Sequence, residues 1–293
     1  MVRFSSPAKQ AAAVIKVLQG GVLKSVSTAS NYEKSLTQVA KYIQINRLGS
    51  LRQMTPEAAK SYLEHRGLEV GRKTLDMERQ ALQCMMRHLT KQLDETDTLP
   101  VIKSELHEAL NSRAYPAHQV EIILKAQQPH NSLATEISFA TGIRAHELFT
   151  LRPAKEQPAD PRPKLTTKWQ GLSGDRFTVT GKGGLTREVV LPRHLTERLE
   201  ALKLDHPSQK IDRGIYYTQH YAIGGGKNWS SSFSEASKRH LGWSSGAHGL
   251  RHSYAQSRME KLQSLGLSRA LSLETVSQEM GHFRPEITEV YLR

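Results

Sequence analysis

Residues 176–191 read Arg-Phe-Thr-Val-Thr-Gly-Lys-Gly-Gly-Leu-Thr-Arg-Glu-Val-Val-Leu. Arg176 to Thr180 and Thr186 to Leu191 alternate in the manner of strands, and Gly181-Lys182-Gly183-Gly184 supplies turn chemistry between them. The stretch predicts a β-hairpin with a basic residue at its tip. The patterns around it are otherwise helical, so the second half of the chain is expected to be mixed α/β, mostly α, with a small antiparallel sheet.

Working outward toward the N-terminus, Pro153 to Pro163 holds four prolines and reads as a loop. Helices are expected near Pro116 to Gln127 and near Ser132 to Ala140. Toward the C-terminus, Gly224 to Gly226 marks a loop, and helical patterns return from Ser230 to the end. Residues 111–117 read as a linker. Before them a short helix is expected around Ala8 to Gln19, stopped by Gly20-Gly21. Ser27, Thr28 and Asn31 offer capping chemistry ahead of an amphipathic stretch, Tyr32, Leu36, Val39, Ala40 and Ile43. Thr55-Pro56-Glu57 predicts a helix start, with Thr55 as N-cap and Pro56 in the first helical position. Two more helices are expected, Thr74 to Leu93 and Val101 to Leu110. No strand signal interrupts this run. The division expected is an N-terminal extension (1–26), an all-helical domain (27–112) and a mixed domain (113–293).

The bulk chemistry narrows the partners. The 293 residues carry 41 Lys and Arg against 28 Asp and Glu, a formal charge of +13, and the pI is near 9.8. Residues 1–115 hold 17 basic and 11 acidic side chains, and the remainder 24 and 17. An excess spread over both halves suits a polyanionic partner, nucleic acid above all. No apolar run approaches the ~20 residues of a membrane span, so no membrane is expected. The lone Cys84 excludes an internal disulfide and a cysteine zinc cluster, and a reducing cytoplasm is expected.

Certain polar residues sit in contexts that suggest tasks. Arg144 follows a Thr-Gly turn and precedes Glu147 at i+3. Lys182 sits at the hairpin tip, with Lys168 and Lys203 as competitors for any lysine role. His248 and Arg251, at i and i+3 in His-Gly-Leu-Arg-His, share a helix face. His282 follows Gly281, and Tyr291 lies nine residues further on. His252, at i+4 from His248, reads as structural. His248 and His252 lack the glutamate of a His-Glu-x-x-His zinc site, so no metal is expected. Gly181-Lys182-Gly183-Gly184 is too short for a nucleotide-binding loop and does not open a helix, so no cofactor is expected either. Trp169, Trp229 and Trp243 read as core or DNA-facing packing.

Together these segments resemble the tyrosine recombinase (phage-type integrase) family. Thr141-Gly-Ile-Arg-Ala-His-Glu-Leu-Phe-Thr-Leu151, Gly181-Lys-Gly-Gly184, His248-Gly-Leu-Arg-His-Ser253 and Met280-Gly-His282 followed by Tyr291 are similar to its catalytic boxes, in order and spacing. Ser27 to Tyr32, Leu51 to Arg66 and Thr74 to Leu89 resemble its helical core-binding domain. The resemblance implies a DNA breaking-rejoining fold gripping duplex DNA as a C-shaped clamp. It implies cleavage through a 3′-phosphotyrosyl ester on Tyr291, for integration, excision or resolution of a mobile element. It also implies paired sites on double-stranded DNA, a homotetramer, accessory DNA-bending or directionality proteins, and a nucleoid-associated location. A type IB topoisomerase-like or telomere-resolving enzyme, or a catalytically idle DNA-binding protein, is the alternative.

The residue types suit that chemistry. A phosphodiester under attack gains negative charge on its nonbridging oxygens, and arginine's permanently charged fork matches it. Arg144 and Arg251 placed there supply preorganised stabilisation. A tyrosine of ordinary pKa, about 10, needs a proton acceptor. The resemblance implies that His248 is that base, that His282 bonds the phosphate, that Lys182 protonates the leaving 5′-oxygen, and that Glu147 orients the arginine and histidine. One departure stands out. Only Leu292 and Arg293 follow Tyr291, where related enzymes usually continue into a segment that docks on a neighbouring subunit.

Overall fold

The computed structural model describes residues 4–106, 111–181 and 183–293. The chain divides into two compact units, Met1–Ala109 and Leu110–Arg293.

The first unit is helical: α1 (Pro7–Leu18), α2 (Val26–Ile45), α3 (Pro56–Gly67) and α4 (Arg72–Met85). A five-residue π turn, Met86–Thr90, closes it. Thr55 caps α3 as its chemistry dictates, its hydroxyl accepting the Ala58 N–H at 3.2 Å. Leu36, Val39, Ala40 and Ile43 form the buried stripe of α2. They share one core with Val14, Ile15 and Leu18 of α1, so one face of residues 7–18 packs into this unit. Inside the same unit Glu78 is buried but paired, accepting from Tyr62 Oη at 2.7 Å and from Arg66 Nε and Nη2 at 3.0 and 2.8 Å. That bidentate pair ties α3 to α4.

Two expectations shift here. Ser27, Thr28 and Asn31 lie inside α2, which begins at Val26 with Ser25 at its N-cap. The helix expected over Val101 to Leu110 is absent from 101–106; residues 107–110 lie outside the described residues. The backbone there bonds elsewhere. Glu105 N–H donates to the Gly67 carbonyl at 2.9 Å, and Ser104 Oγ donates to the Val70 carbonyl at 2.7 Å. Tertiary partners have replaced the i→i−4 ladder.

The second unit begins with α5 (Ala117–Lys125) and α6 (Pro129–Thr141). A three-stranded antiparallel sheet follows, β1 (Arg152–Pro153), β2 (Asp175–Thr180) and β3 (Thr186–Leu191), in sequence order. The expected hairpin is β2–β3, with Thr180 opposite Thr186 closing its last pair. Beyond it come α7 (Arg193–Glu200), α8 (Gly226–Leu241), α9 (Gly249–Ser264), α10 (Arg269–Met280) and the short α11 (Pro285–Glu289). A second hairpin, β4 (Lys203–Asp212) and β5 (Ile215–Tyr221), turns at Arg213-Gly214, both at positive φ. Sequence reading missed it, because most of its side chains are exposed and no one-sided apolar alternation marks it.

The core of this unit packs Ile137 of α6 and Trp229 and Phe233 of α8 against Val179, Val189 and Leu191 of the sheet. A smaller cluster, including Tyr254, Met259, Leu262, Val276 and Met280, joins α9 to α10, and Tyr291 and Leu292 rest on it. Trp229 is core, its indole N–H donating to Thr135 at 3.0 Å. Trp243 is partly exposed and stacks on Tyr115 at 4.9 Å. Among the described residues no helix is long and apolar enough to cross a membrane.

Candidate active site

Helix ends build the site. Gly142 stops α6 in the left-handed conformation, φ +62°, and hands the chain to Arg144. A Cβ at Gly142 would stand 2.5 Å from Cδ1 of Tyr254, so both the backbone angle and the space demand glycine. Gly281 ends α10 in the same way, φ +72°, and presents His282. His248 stands at the N-cap of α9, and Arg251 and His252 lie in its first turn. Tyr291 sits in the single 3₁₀ turn Val290–Leu292 that ends the chain. Its carbonyl accepts from Gln256 Nε2 at 3.2 Å, tying that turn to α9.

Five of the six expected catalytic residues converge. Around the Tyr291 ring lie the imidazoles of His252, His282 and His248, with centroids 4.7, 5.0 and 5.5 Å away. The Arg251 guanidinium carbon is 5.4 Å from the same centroid. Arg251 is buried; it donates to the carbonyls of Gly142 and, at 3.4 Å, Met280, and Nη2 approaches His282 Nε2 at 2.9 Å. A guanidinium has only donors, so His282 Nε2 must accept. The imidazole proton therefore sits on Nδ1 and donates to Thr288 Oγ1, 3.0 Å away. Lys182, the sixth, lies outside the described residues; the hairpin that carries it is in place.

Glu147 anchors the cationic side. It is fully buried, in a short 3₁₀ turn immediately after the Arg144 segment. Oε1 accepts from Arg144 Nη1 at 2.8 Å, and Oε2 accepts from the Arg144 N–H and from Arg187 Nη2, both at 2.7 Å. Burial alone would raise its pKa, but Arg187, Arg144 and Arg251 together hold it well below the ordinary carboxylate range. Arg144 keeps part of its side chain in solvent.

The cations and burial set the histidines. His248 faces solvent at the start of α9. The protein packed about its ring, then the charges of Arg251, His252, Arg113 and Arg144, nonetheless push it down to about 4. His252 is likewise pushed down to about 4, by burial first and then Arg113. His282 falls to about 3, by burial and then Arg251 and Arg144. All three are neutral at pH 7. Arg251 is itself lowered to about 10, by burial first and then the like charge of Arg144.

Sequence reading missed two residues. His252 reads from its sequence context as structural, yet among the three imidazoles its ring lies nearest Tyr291; its i+4 spacing from His248 is the available signal. Arg187 had none, because an arginine on a strand next to a basic turn reads as surface charge. Of the competing lysines, Lys203 is ion-paired to Glu156 at 2.9 Å. Lys168 lies over the Trp169 ring at 4.8 Å and is lowered to about 8, by burial first and then Lys164.

No family model matches the chain, and no curated protein matches it. Solved structures do. A complex of the XerH site-specific recombinase with its difH substrate is 19% identical, covering 99% of this chain and 82% of that one, with a TM-score of 0.57. A lambda integrase(75-356) dimer bound to a COC′ core site is 16% identical, covering 97% and 94%, with a TM-score of 0.61. The Tn1549 transposon integrase in complex with transposon right-end DNA is 15% identical, covering 99% and 95%, with a TM-score of 0.56. These likenesses establish the fold.

Proposed function

We propose that this chain, which has the fold of the tyrosine recombinases, is a site-specific DNA strand-exchange enzyme. It cuts and rejoins DNA through a 3′-phosphotyrosyl ester on Tyr291. The observation that carries this reading is the convergence of Arg251, His248, His252 and His282 on one tyrosine ring, with Arg144 held beside them by the buried Glu147.

Tyr291 Oη attacks the scissile phosphorus, the bond to the 5′-oxygen breaks, and the phosphate stays on the enzyme as an ester that the incoming 5′-hydroxyl later reverses. Arg144 and Arg251 carry the charge that develops on the nonbridging oxygens. The phosphate takes the place of one inward contact of Arg251. His248, neutral and beside the phenol, accepts its proton; the arriving phosphate anion raises its proton affinity from about 4 toward the useful range. Once Arg251 releases its Nε2, the His282 proton moves to that nitrogen and donates to a phosphate oxygen, while the Thr288 hydroxyl turns to donate to Nδ1. Lys182 protonates the leaving oxygen.

The structural relatives named above are bound to a difH substrate, a COC′ core site and transposon right end DNA, and one further relative is a lambda integrase tetramer bound to a Holliday junction. By that analogy the substrate is double-stranded DNA with paired sites, and the working unit is a homotetramer, with accessory bending or directionality proteins, acting at the nucleoid. The helical unit (notably residues 27–112) grips the core site, and residues 113–293 do the chemistry. Integration, excision and resolution all use this one reaction.

The test is a suicide substrate nicked beside the cleavage site. The wild-type chain should become covalently linked to the DNA 3′ end. Tyr291→Phe should bind within a few-fold of wild type and form no denaturant-resistant complex. An adduct in the variant would move the nucleophile elsewhere.

A further inference from the structure

Arg187 belongs to no box quoted from the sequence, yet it is buried and touches two parts of the site at once. From β3 its Nη2 donates to Glu147 Oε2 at 2.7 Å, and its Nη1 donates to the Glu279 carbonyl at 2.9 Å. Glu147 is the carboxylate that holds Arg144 through both the side chain and the backbone N–H. Glu279 lies one residue before Met280, whose carbonyl faces Arg251, and three before His282.

We infer that Arg187 is a positioning residue that fixes the distance between the Arg144 segment and the His282 segment. The inference rests on the strand-exchange reading and adds a residue to it. Three observations converge. The first is the fork itself: two nitrogens held in one rigid plane bond two acceptors on different elements, a spacing that the rotatable donors of a compact ammonium do not fix. The second is the helix end: the Glu279 carbonyl is among the last of α10, without an intrahelical partner, and a guanidinium suits that negative pole. The third is the glycine: a Cβ at Gly281 would stand 2.6 Å from Arg187 Cδ and 2.9 Å from its Nε. The turn that delivers His282 is thus shaped around the Arg187 stem.

The same strand joins the pocket to the hairpin tip. Arg187 lies one residue past Thr186, whose N–H donates to Asp160 Oδ2 at 2.9 Å and whose carbonyl accepts from the Asp160 N–H at 3.0 Å. The proline-rich loop from Pro153 to Pro163 therefore braces the start of β3, and its Arg162 covers the Phe283 ring next to His282 at 5.0 Å. Arg187 stands between these two braces.

The experiment measures DNA affinity and single-turnover cleavage separately on the full-length chain. Arg187→Lys keeps the charge but replaces the rigid two-nitrogen fork by a compact ammonium that does not fix the separation of the two acceptors. Its cleavage rate should fall roughly 100-fold, the scale of a ~1 Å misplacement of reacting groups, with affinity within about 3-fold, the change expected when none of the many phosphate contacts is lost. Gly281→Ala keeps every charge and presses a methyl on the same stem, and should show the same split should Arg187→Lys not fold. Cleavage within a few-fold of wild type in both variants, or parallel loss of binding and cleavage, would overturn the assignment. A wild-type chain that forms no adduct would instead refute strand exchange itself.

Discussion

At the scale of the residue, the site spends its arginines in different ways. Arg144 keeps one side open to solvent while Glu147 holds the other. Arg251 is buried under the Tyr291 ring, and its low proton affinity for an arginine, about 10, reflects the burial and the neighbouring cation. Both costs are relieved by an anion, which is a reason for the pocket to bind phosphate. Arg251→Ala should therefore lower single-turnover cleavage by on the order of 10²–10³, the cost of one preorganised donor to a developing anion. Binding to a full site, spread over many phosphate contacts, should weaken far less. Equal losses in gel-shift affinity and cleavage would make Arg251 a DNA anchor.

At the scale of the element, the β2–β3 hairpin is the part whose chemistry is easiest to isolate. Its strands are held to Thr180 and Thr186 by regular pairing, and the turn between them carries Gly183 and Gly184 at φ near +85°. Lys182→Ala should cleave ordinary DNA slowly, because an alkoxide leaves poorly without a proton. Replacing the departing 5′-oxygen by sulfur should restore most of the rate, since a thiolate leaves unprotonated. Arg251→Ala should not be rescued. If sulfur rescues both variants alike, or neither, the acid lies elsewhere. Lys168, lowered to about 8, is then better suited than Lys203, whose Glu156 partner raises its pKa and so holds its proton.

At the scale of the whole molecule, three neutral histidines around one tyrosine link stability to pH. Their folded values, about 4 for His248 and His252 and about 3 for His282, lie below the unfolded value of about 6.5. Between those limits the unfolded chain binds more protons than the folded one, so stability is complete above pH 6.5 and falls as pH drops toward 4 and 3. The thermal midpoint should decline across that window at constant ionic strength. Replacing His252 and His282 by Gln should flatten the decline; an unchanged slope in that double variant would mean that other groups carry it.

Local pattern was enough for the main helices of the first unit and for the β2–β3 hairpin, and the likeness of four short segments to a family's boxes picked out Arg144, Glu147, His248, Arg251, His282 and Tyr291. The elements depend on short-range chemistry: a cap such as Thr55-Pro56, the helical apolar period and period-2 alternation. The remaining features depend on partners distant in sequence. The non-helical course of residues 101–106 follows from carbonyls at Gly67 and Val70. The place of His252 against Tyr291 follows from the last turn folding back on α9. Arg187 acquires its meaning only where β3 passes Glu147, 40 residues earlier, and Glu279, 92 residues later. A buried charge is affordable only beside its partners, and local pattern does not report which partners the fold will bring.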